Sequence, residues 1–341
     1  MLEKYIHQIR HGVNLSRSDM TAAMEQMMEG QASDIQVASF LTAMSMKGET
    51  VEEIAAGAQV LRDKAIHIEL NGLHAIDTCG TGGDGGGTYN ISTAVAFVAA
   101  AAGVPVVKHG NRSVSSKCGS ADVLEALGAN IQVTPDQAEA MVKDIGICFV
   151  FAPAYHGAMR HVGKVRKALG FRTMFNMLGP LVNPAQVSGQ VIGVFDEQLT
   201  EKMALVLREL GTKRALVVHG KDGLDELSIT SDSIVSELDG HEINTYCVNP
   251  EQYGLHRAKM EDIQGGDANM NASIIKELFS GAKGSKRDIL ALNAGAALYI
   301  SRHAKTIEEG IQQAEYILDN QLALHKLHAF IEYTQQFKKT V

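Results

Sequence analysis

Gly80 to Thr93 read GTGGDGGGTYNIST, and six of the eight residues from Gly80 to Gly87 are glycine. A packed core has no use for such a run, because glycine gives up more backbone entropy on folding than any other residue. Dense glycine serves where backbone must approach something closely, most often an anion that N–H groups can surround. The flanks agree with that use. Ala75 to Cys79 read as a short strand entering the loop. Ser92-Thr93 supply capping hydroxyls ahead of an alanine-rich apolar helix from about Ala94 to Ala102. Strand, glycine loop and helix N-terminus together favour negative charge, through free N–H groups and the helix dipole. A flexible linker is the bland alternative, but a linker would not hold Asp84, Thr88 and Asn90 between buried elements. The loop reads as a phosphate site.

It is none of the common phosphate loops. A Walker loop ends in Gly-Lys-Ser/Thr, and no lysine occurs between Lys64 and Lys108. A dinucleotide fingerprint can be forced onto Gly80, Gly82 and Gly85, but no acidic residue lies near position 105 to take a ribose hydroxyl. The paired Asp-Asp before Thr-Gly of the commoner phosphoribosyltransferases is also missing. A second donor-rich stretch follows. Val104 to Val107 read as a buried strand, and KHGNRSVSSK (Lys108 to Lys117) sits at its C-terminal end, where open α/β sheets bind ligands. A solvated basic loop would have this composition too. A second donor-rich strand end so soon after the first favours a ligand carrying more than one phosphate. The next helix, Ser120 to Leu127 with a stop at Gly128, adds a third set of free N–H groups.

Two textures divide the chain. Up to about Ile68 only helices are expected. Leu2 to His11 form one, Ser18 and Ser33 cap two that end at Gly30 and Gly48, and Thr50 to Glu53 make a capping box for Val51 to Asp63. Met20, Met24, Met27, Met28, Phe40 and Met44 give them an apolar face. From Ala75 strands alternate with helices: Ile131 to Val133, a helix after Thr134-Pro135, Ile147 to Phe151, Val191 to Phe195 and Ala215 to His219. Asp239-Gly240 signals a late antiparallel hairpin. The fold class is therefore α/β: a small all-helical domain, then a larger domain with a mainly parallel sheet flanked by helices.

Composition sets limits. The 341 residues can bury one large core and one smaller one. A net charge of −8 argues against non-specific nucleic-acid binding, and no apolar run approaches a membrane span. Met1 to Gly12 is too polar for a signal peptide. Four cysteines without metal spacing suit a reducing, cytoplasmic setting, and Cys79 and Cys118 beside the loops read as buried filler rather than nucleophiles. His156, Arg160, His161, Lys164, Arg166 and Lys167 lie on one expected helical stretch between Pro153 and Gly170, which by itself reads as a solvated basic face. Asp222-Gly223-Leu224-Asp225-Glu226 follows a strand end. It suits a hard cation shared with a diphosphate, although spacing alone allows a solvated acidic turn equally well.

The stretch KHGNRSVSSKCGSADVLEALG (Lys108 to Gly128) resembles the anthranilate phosphoribosyltransferase family. So do GTGGD at Gly80, NIST at Asn90 and RTMFNMLGPLVNP from Arg172 to Pro184, in order over essentially the whole chain. The resemblance implies transfer of phosphoribosyl from 5-phosphoribosyl diphosphate to anthranilate. It also implies a helical domain over 1–72, onto which helices from about 154–180 fold back, an α/β domain over 73–341, and a homodimer formed through the helical domain. The implied donor site is Gly80, Gly83, Asp84, Thr88, Asn90, Ile91, Ser92, Thr93, Lys108, His109, Gly110, Asn111, Arg112, Ser113, Val114, Ser115, Ser116 and Ser120. Anthranilate would meet Gly80, His109, Asn111, Arg166 and Gly179, with Arg166 on its carboxylate, and Mg²⁺ would meet Ser92, Asp225 and Glu226. No general base is implied. Relatives often carry His-His-Pro where this chain has Tyr155-His156-Gly157, which reshapes the expected ring-side wall. A pyrimidine nucleoside phosphorylase, or a non-catalytic nucleic-acid-binding relative, would share the architecture. The first would release a base from a nucleoside, and the second would carry a basic groove.

Overall fold

The computed structural model describes residues 2–83, 85, 87–113 and 117–337. Four helices precede the first strand: α1 (Glu3–Arg10), α2 (Arg17–Met28), α3 (Asp34–Lys47) and α4 (Val51–Asp63). Local chemistry fixes their starts. Ser33 with Gln36 and Thr50 with Glu53 form capping boxes, each side chain taking the other's backbone N–H. The cap of α2 is Ser16, which accepts from the Asp19 N–H, and not the expected Ser18; the two hydroxyls lie 3.0 Å apart. Met20, Met24, Met27, Met28, Phe40 and Met44 are all buried.

One seven-stranded sheet follows, in the order β3-β2-β1-β4-β5-β6-β7. The strands are β1 (Ile76–Gly80), β2 (Val106–Gly110), β3 (Ile147–Phe151), β4 (Gly189–Gly193), β5 (Arg214–Gly220), β6 (Ser233–Asp239) and β7 (Glu242–Val248). β1 to β5 run parallel, and β6 and β7 close one edge as an antiparallel hairpin in which Asp239 pairs with Glu242. The helices between and after the strands are α5 (Ile91–Ala101), α6 (Ser120–Leu127), α7 (Pro135–Ile145), α8 (Ala152–Tyr155), α9 (Arg160–Leu169), α10 (Phe175–Leu178), α11 (Leu199–Glu209), α12 (Ala268–Phe279), α13 (Ser285–Ile300), α14 (Ile307–Asp319) and α15 (Leu322–Gln336).

Alternating side chains put two cores on the two faces of the sheet. Val191, Leu216, Val218 and Val235 face a core with α5, α13 and α14, while Ile192, Val194, Ala215 and Val217 face α11 and the N-terminal helices. Val162, Val165, Met174 and Phe175, from α9 and the α10 region, join that second core beside Met20, Phe40 and Met44. Strand order reverses about β1, with connections running one way to β2 and β3 and the other way to β4 and β5. Such a switch point leaves a crevice at the strands' C-terminal ends.

Three expectations need correction. Ile131 to Val133 are buried or lie beside buried residues but form no strand. Asn130 N–H donates to Thr334 Oγ1 and the Val133 carbonyl accepts from the Tyr155 hydroxyl, so side chains take the backbone groups that a ladder would use. α5 begins at Ile91 rather than Ala94, with Asn90 as its first flanking residue, so Ser92 and Thr93 lie inside its first turn and do not cap it. The basic stretch from Pro153 to Gly170 is not one helix. His156 ends α8, a 3₁₀ turn covers Gly157–Met159, and only Arg160 onward is α9.

Candidate active site

β1 ends at Gly80, and the glycine loop leaves from the switch point. Above it lies the loop after β5. A side chain on Gly80 would run into the Asp225 carboxylate, and one on Gly193, at the end of β4, would overlap the Asp225 carbonyl. Hydrogen at Gly193 lets the Asp225 backbone rest on the end of β4, and hydrogen at Gly80 leaves room for its carboxylate. Asp225 Oδ2 accepts from the Gly82 N–H at 2.8 Å, so the acidic loop and the glycine loop touch directly. Glu226 follows it, partly buried. On the far side the Arg172 guanidinium donates to the Gly83 carbonyl and stacks over Phe195 with 4.0 Å to the ring centre. Thr88 bridges to Gln264, which ties the loop's end to the α12 side. Asn90 Nδ2 donates to the Cys118 carbonyl and Asn90 Oδ1 accepts from Asn271, joining the glycine loop to the second donor-rich stretch. Asp84 lies outside the described residues, as do Val114, Ser115 and Ser116.

Inside the first turn of α5, Ile91 and Thr93 are buried, and the Ser92 hydroxyl accepts from Lys108 Nζ at 3.3 Å. Lys108 is itself buried and also donates to the Thr78 carbonyl. Beneath it Asp77 accepts from the His109 N–H at 3.2 Å and from Asn183 Nδ2 at 2.9 Å. Burial pushes the Asp77 carboxyl up, opposed by the nearby Lys108. Gly110 lies against Ser120, whose hydroxyl approaches the Asn111 carbonyl. Arg112 turns toward α6, in ion pairs with Asp122 and Glu125, and Asp122 also accepts from the Ser113 and Gly119 N–H groups. The loop from Lys108 to Ser120 is thus held by the helix it precedes.

The acceptor side sets two buried rings beside the Arg166 guanidinium. His109 and His156 are buried with ring centres 5.1 Å apart, and the Nε2 of each lacks a partner among the described residues. Burial draws His109 down to about 3, helped by His156 and opposed by a hydrogen bond to the Gly179 backbone. Burial likewise draws His156 down to about 4. Both rings are neutral at pH 7, and His109 lies against the Gly179 backbone. Arg166 is half-buried with its guanidinium 5.0 Å from the Phe175 ring centre. Among the described residues it makes no hydrogen bond or ion pair. Arg160, Lys164 and Lys167 on the same helix are exposed. Cys79 and Cys118 are buried, and burial raises both thiols, which fits filler and not nucleophiles.

Residues 3–65 match the helical bundle domain of a glycosyl transferase family, and residues 72–324 match that family's a/b domain. The chain is 53% identical over 338 residues to the anthranilate phosphoribosyltransferase of Alkaliphilus metalliredigens, covering 99% of this chain and 100% of that one. The chain belongs to the anthranilate phosphoribosyltransferase family. Among solved members, that of Thermus thermophilus superposes with a TM-score of 0.92 at 39% identity, covering 97% of this chain and 99% of the other. The Saccharomyces cerevisiae member, solved in complex with PRPP (5-phosphoribosyl diphosphate) and Mg, gives 0.91 at 28% identity over 98% of each chain.

Several residues that shape this family member's site stand outside the expected donor, acceptor and metal sets. His156 reads as one of a basic run, and only the break between α8 and α9 turns it inward. Arg172, Asp77 and Asn183 reach the site from separate segments. For Arg172 and Asn183 the family stretch from Arg172 to Pro184 is the signal, and for Asp77 it is a polar residue inside the short apolar strand AIDTC, because such a group must find partners.

Proposed function

We infer that this chain transfers the phosphoribosyl group of 5-phosphoribosyl diphosphate to the amine of anthranilate, releasing diphosphate. The observation that carries the reading is the direct contact of the acidic loop with the glycine loop, Asp225 Oδ2 to Gly82 N–H, over the switch point. A diphosphate seated there would lie beside the glycine-loop backbone and the two carboxylates in one place. Among the described residues no group of three or more His, Cys, Asp or Glu could hold a metal ion alone. Two carboxylates and the Ser92 hydroxyl form an all-oxygen donor set, which suits Mg²⁺ that completes its shell with phosphate oxygens and water. Bound there, Mg²⁺ would offset the charge that develops on departing diphosphate.

The protein's own contribution is to hold and exclude. The glycine loop and the residues from Lys108 to Ser120 would cradle phosphate oxygens, and Asn111, His109, Gly179 and Arg166 would receive anthranilate. The aromatic amine is a weak nucleophile, so cleavage at the anomeric carbon runs ahead of attack and positive charge builds on the sugar, as in glycoside chemistry. No general base is assigned. Positioning of the two substrates supplies the remainder.

The proposal extends to a homodimer formed through the N-terminal helices, with the domain division at residue 72, and to a cytoplasmic protein that does not act on nucleic acid. No helix among the described residues is long and apolar enough to cross a membrane, and none of the four cysteines is in a disulfide.

Loss of anthranilate fluorescence is the test, in a chain without tryptophan. Decay should require 5-phosphoribosyl diphosphate and Mg²⁺ together. A decay that ran without either would reject the reading.

A further inference from the structure

The Asp225–Glu226 pair sits between two buried leucines, Leu224 and Leu227, and each leucine is pinned by another residue's side chain. Upstream, Asp222 Oδ1 accepts from the Leu224 N–H at 3.2 Å, and its other oxygen accepts from the Ser228 and Thr230 hydroxyls. The Asp222 N–H donates to Ser231 Oγ at 3.0 Å, so one residue closes the loop on itself across the pair. Downstream, Asn293 of α13 takes both polar groups of Leu227. Its Oδ1 accepts from the Leu227 N–H at 2.9 Å and its Nδ2 donates to the Leu227 carbonyl at 2.8 Å. Asn293 is 1% exposed in a helix stretch that is otherwise apolar, and Nδ2 also reaches the Ile289 carbonyl at 2.9 Å.

A buried amide at mid-helix is costly unless fully bonded, and leucine would pack there without that cost. Both polar atoms of the Asn293 side chain are bonded, and its two bonds to Leu227 copy a strand partner's pattern at a point where no strand runs. The loop has no ladder of its own between Gly220 and Ser233: backbone bonds from the Gly220 N–H to the Leu224 carbonyl and from the Lys221 N–H to the Asp232 carbonyl close its turns, and these side chains hold the two flanks of the acidic pair. That shape matters at the ångström scale, because the Asp225 carbonyl occupies the space a side chain on Gly193 would need.

We propose that Asn293 and Asp222 are positioning residues that clamp the Asp225–Glu226 pair from both sides, setting its affinity for the magnesium–diphosphate end of the donor. Both act through the pair. The inference rests on the function proposed above, and the two can fail separately.

The variants are Asn293→Leu and the exposed Asp222→Asn. Three readouts apply to the full-length protein: calorimetric binding of 5-phosphoribosyl diphosphate across a Mg²⁺ titration, KM for anthranilate, and the melting temperature without ligands. Lost support for metal ligands typically lowers metal affinity 10–100-fold. Asp222→Asn should therefore raise the half-saturating Mg²⁺ about tenfold, with KM for anthranilate changed by less than about twofold. Asn293→Leu should do the same if it folds. An unchanged Mg²⁺ titration in Asp222→Asn, in a protein whose parent shows Mg²⁺-dependent donor binding, overturns the clamp alone. A parent that binds the donor without regard to Mg²⁺ overturns both proposals. A fall in melting temperature with no change in the titration would reduce the residues to a structural role and also overturns the clamp.

Discussion

At the scale of single residues the acceptor side turns on Arg166. A half-buried guanidinium with no anion beside it among the described residues is an expensive arrangement, and burial draws its pKa down. His109 and His156 are neutral, and Lys108 is occupied by the Thr78 carbonyl and Ser92, so among the described residues Arg166 is the cation left for a carboxylate entering this pocket. Planar, paired hydrogen bonds from an arginine fork suit that partner, and bonds to a charged group contribute about 1.5–3 kcal/mol. Arg166→Ala should therefore raise KM for anthranilate by roughly 10- to 100-fold and leave KM for 5-phosphoribosyl diphosphate near its parent value. Arg166→Lys should recover only part of the loss, since lysine cannot make the fork. Steady-state kinetics with both substrates varied decides it, and equal loss against an acceptor lacking the carboxylate would reject the role. Arg166 is distinguishable in the sequence only through the family motif, because periodicity alone leaves it among its solvated neighbours Lys164 and Lys167. His156 is not distinguishable, since its burial depends on where α8 stops.

Individual elements are legible where one short motif decides them. Thr50–Glu53, Ser33–Gln36, Thr134-Pro135 and the stop at Gly128 act through backbone groups at fixed offsets, and each helix end falls there. Ser16 has a stronger local claim on α2 than Ser18, because Asp19 stands three residues beyond it and its N–H donates to the Ser16 hydroxyl. Ile131 to Val133 have a strand's composition but lie where Thr334 and Tyr155 answer the backbone first. Glu53 shows how far a cap can exceed its local role. Its carboxylate takes the Thr50 and Leu15 N–H groups at 2.8 Å each and pairs with Lys47 at 2.8 Å, with both side chains 5% exposed or less. Removing one member of a buried pair leaves the other charge stranded, at a cost of about 3–5 kcal/mol, whereas losing an exposed cap costs about 1 kcal/mol. Glu53→Gln should thus lower unfolding free energy several times more than Ser16→Ala. Urea unfolding followed by far-ultraviolet circular dichroism compares them, and similar losses would show that Glu53 acts only as a cap.

At the scale of the whole molecule, alternation of strands and helices announces a parallel sheet, but the strand order β3-β2-β1-β4-β5 has no local signal, and that order makes the crevice. The N-terminal helices cover the sheet face that holds α11, and α9 and α10 return to pack on them. Arg62 of α4 donates to the Leu181 carbonyl at 2.7 Å and the Leu210 carbonyl at 3.3 Å, binding both segments to the bundle. Two large apolar side chains stand out from that bundle. Ile35 is 79% exposed and Met46 84%, about three turns apart on α3 and so on one side of the helix. A monomer gains nothing from displaying them, while a two-fold interface would bury each twice, at about 1.5–3 kcal/mol per side chain. On the proposed dimer, Ile35→Lys combined with Met46→Lys should convert the protein to monomer at micromolar concentration, as read by light scattering. The active-site segments lie on other elements, so donor binding should survive in the monomer. A variant that stays dimeric would move the interface off this face of α3, and a parent that is monomeric at the same concentration would remove the dimer altogether.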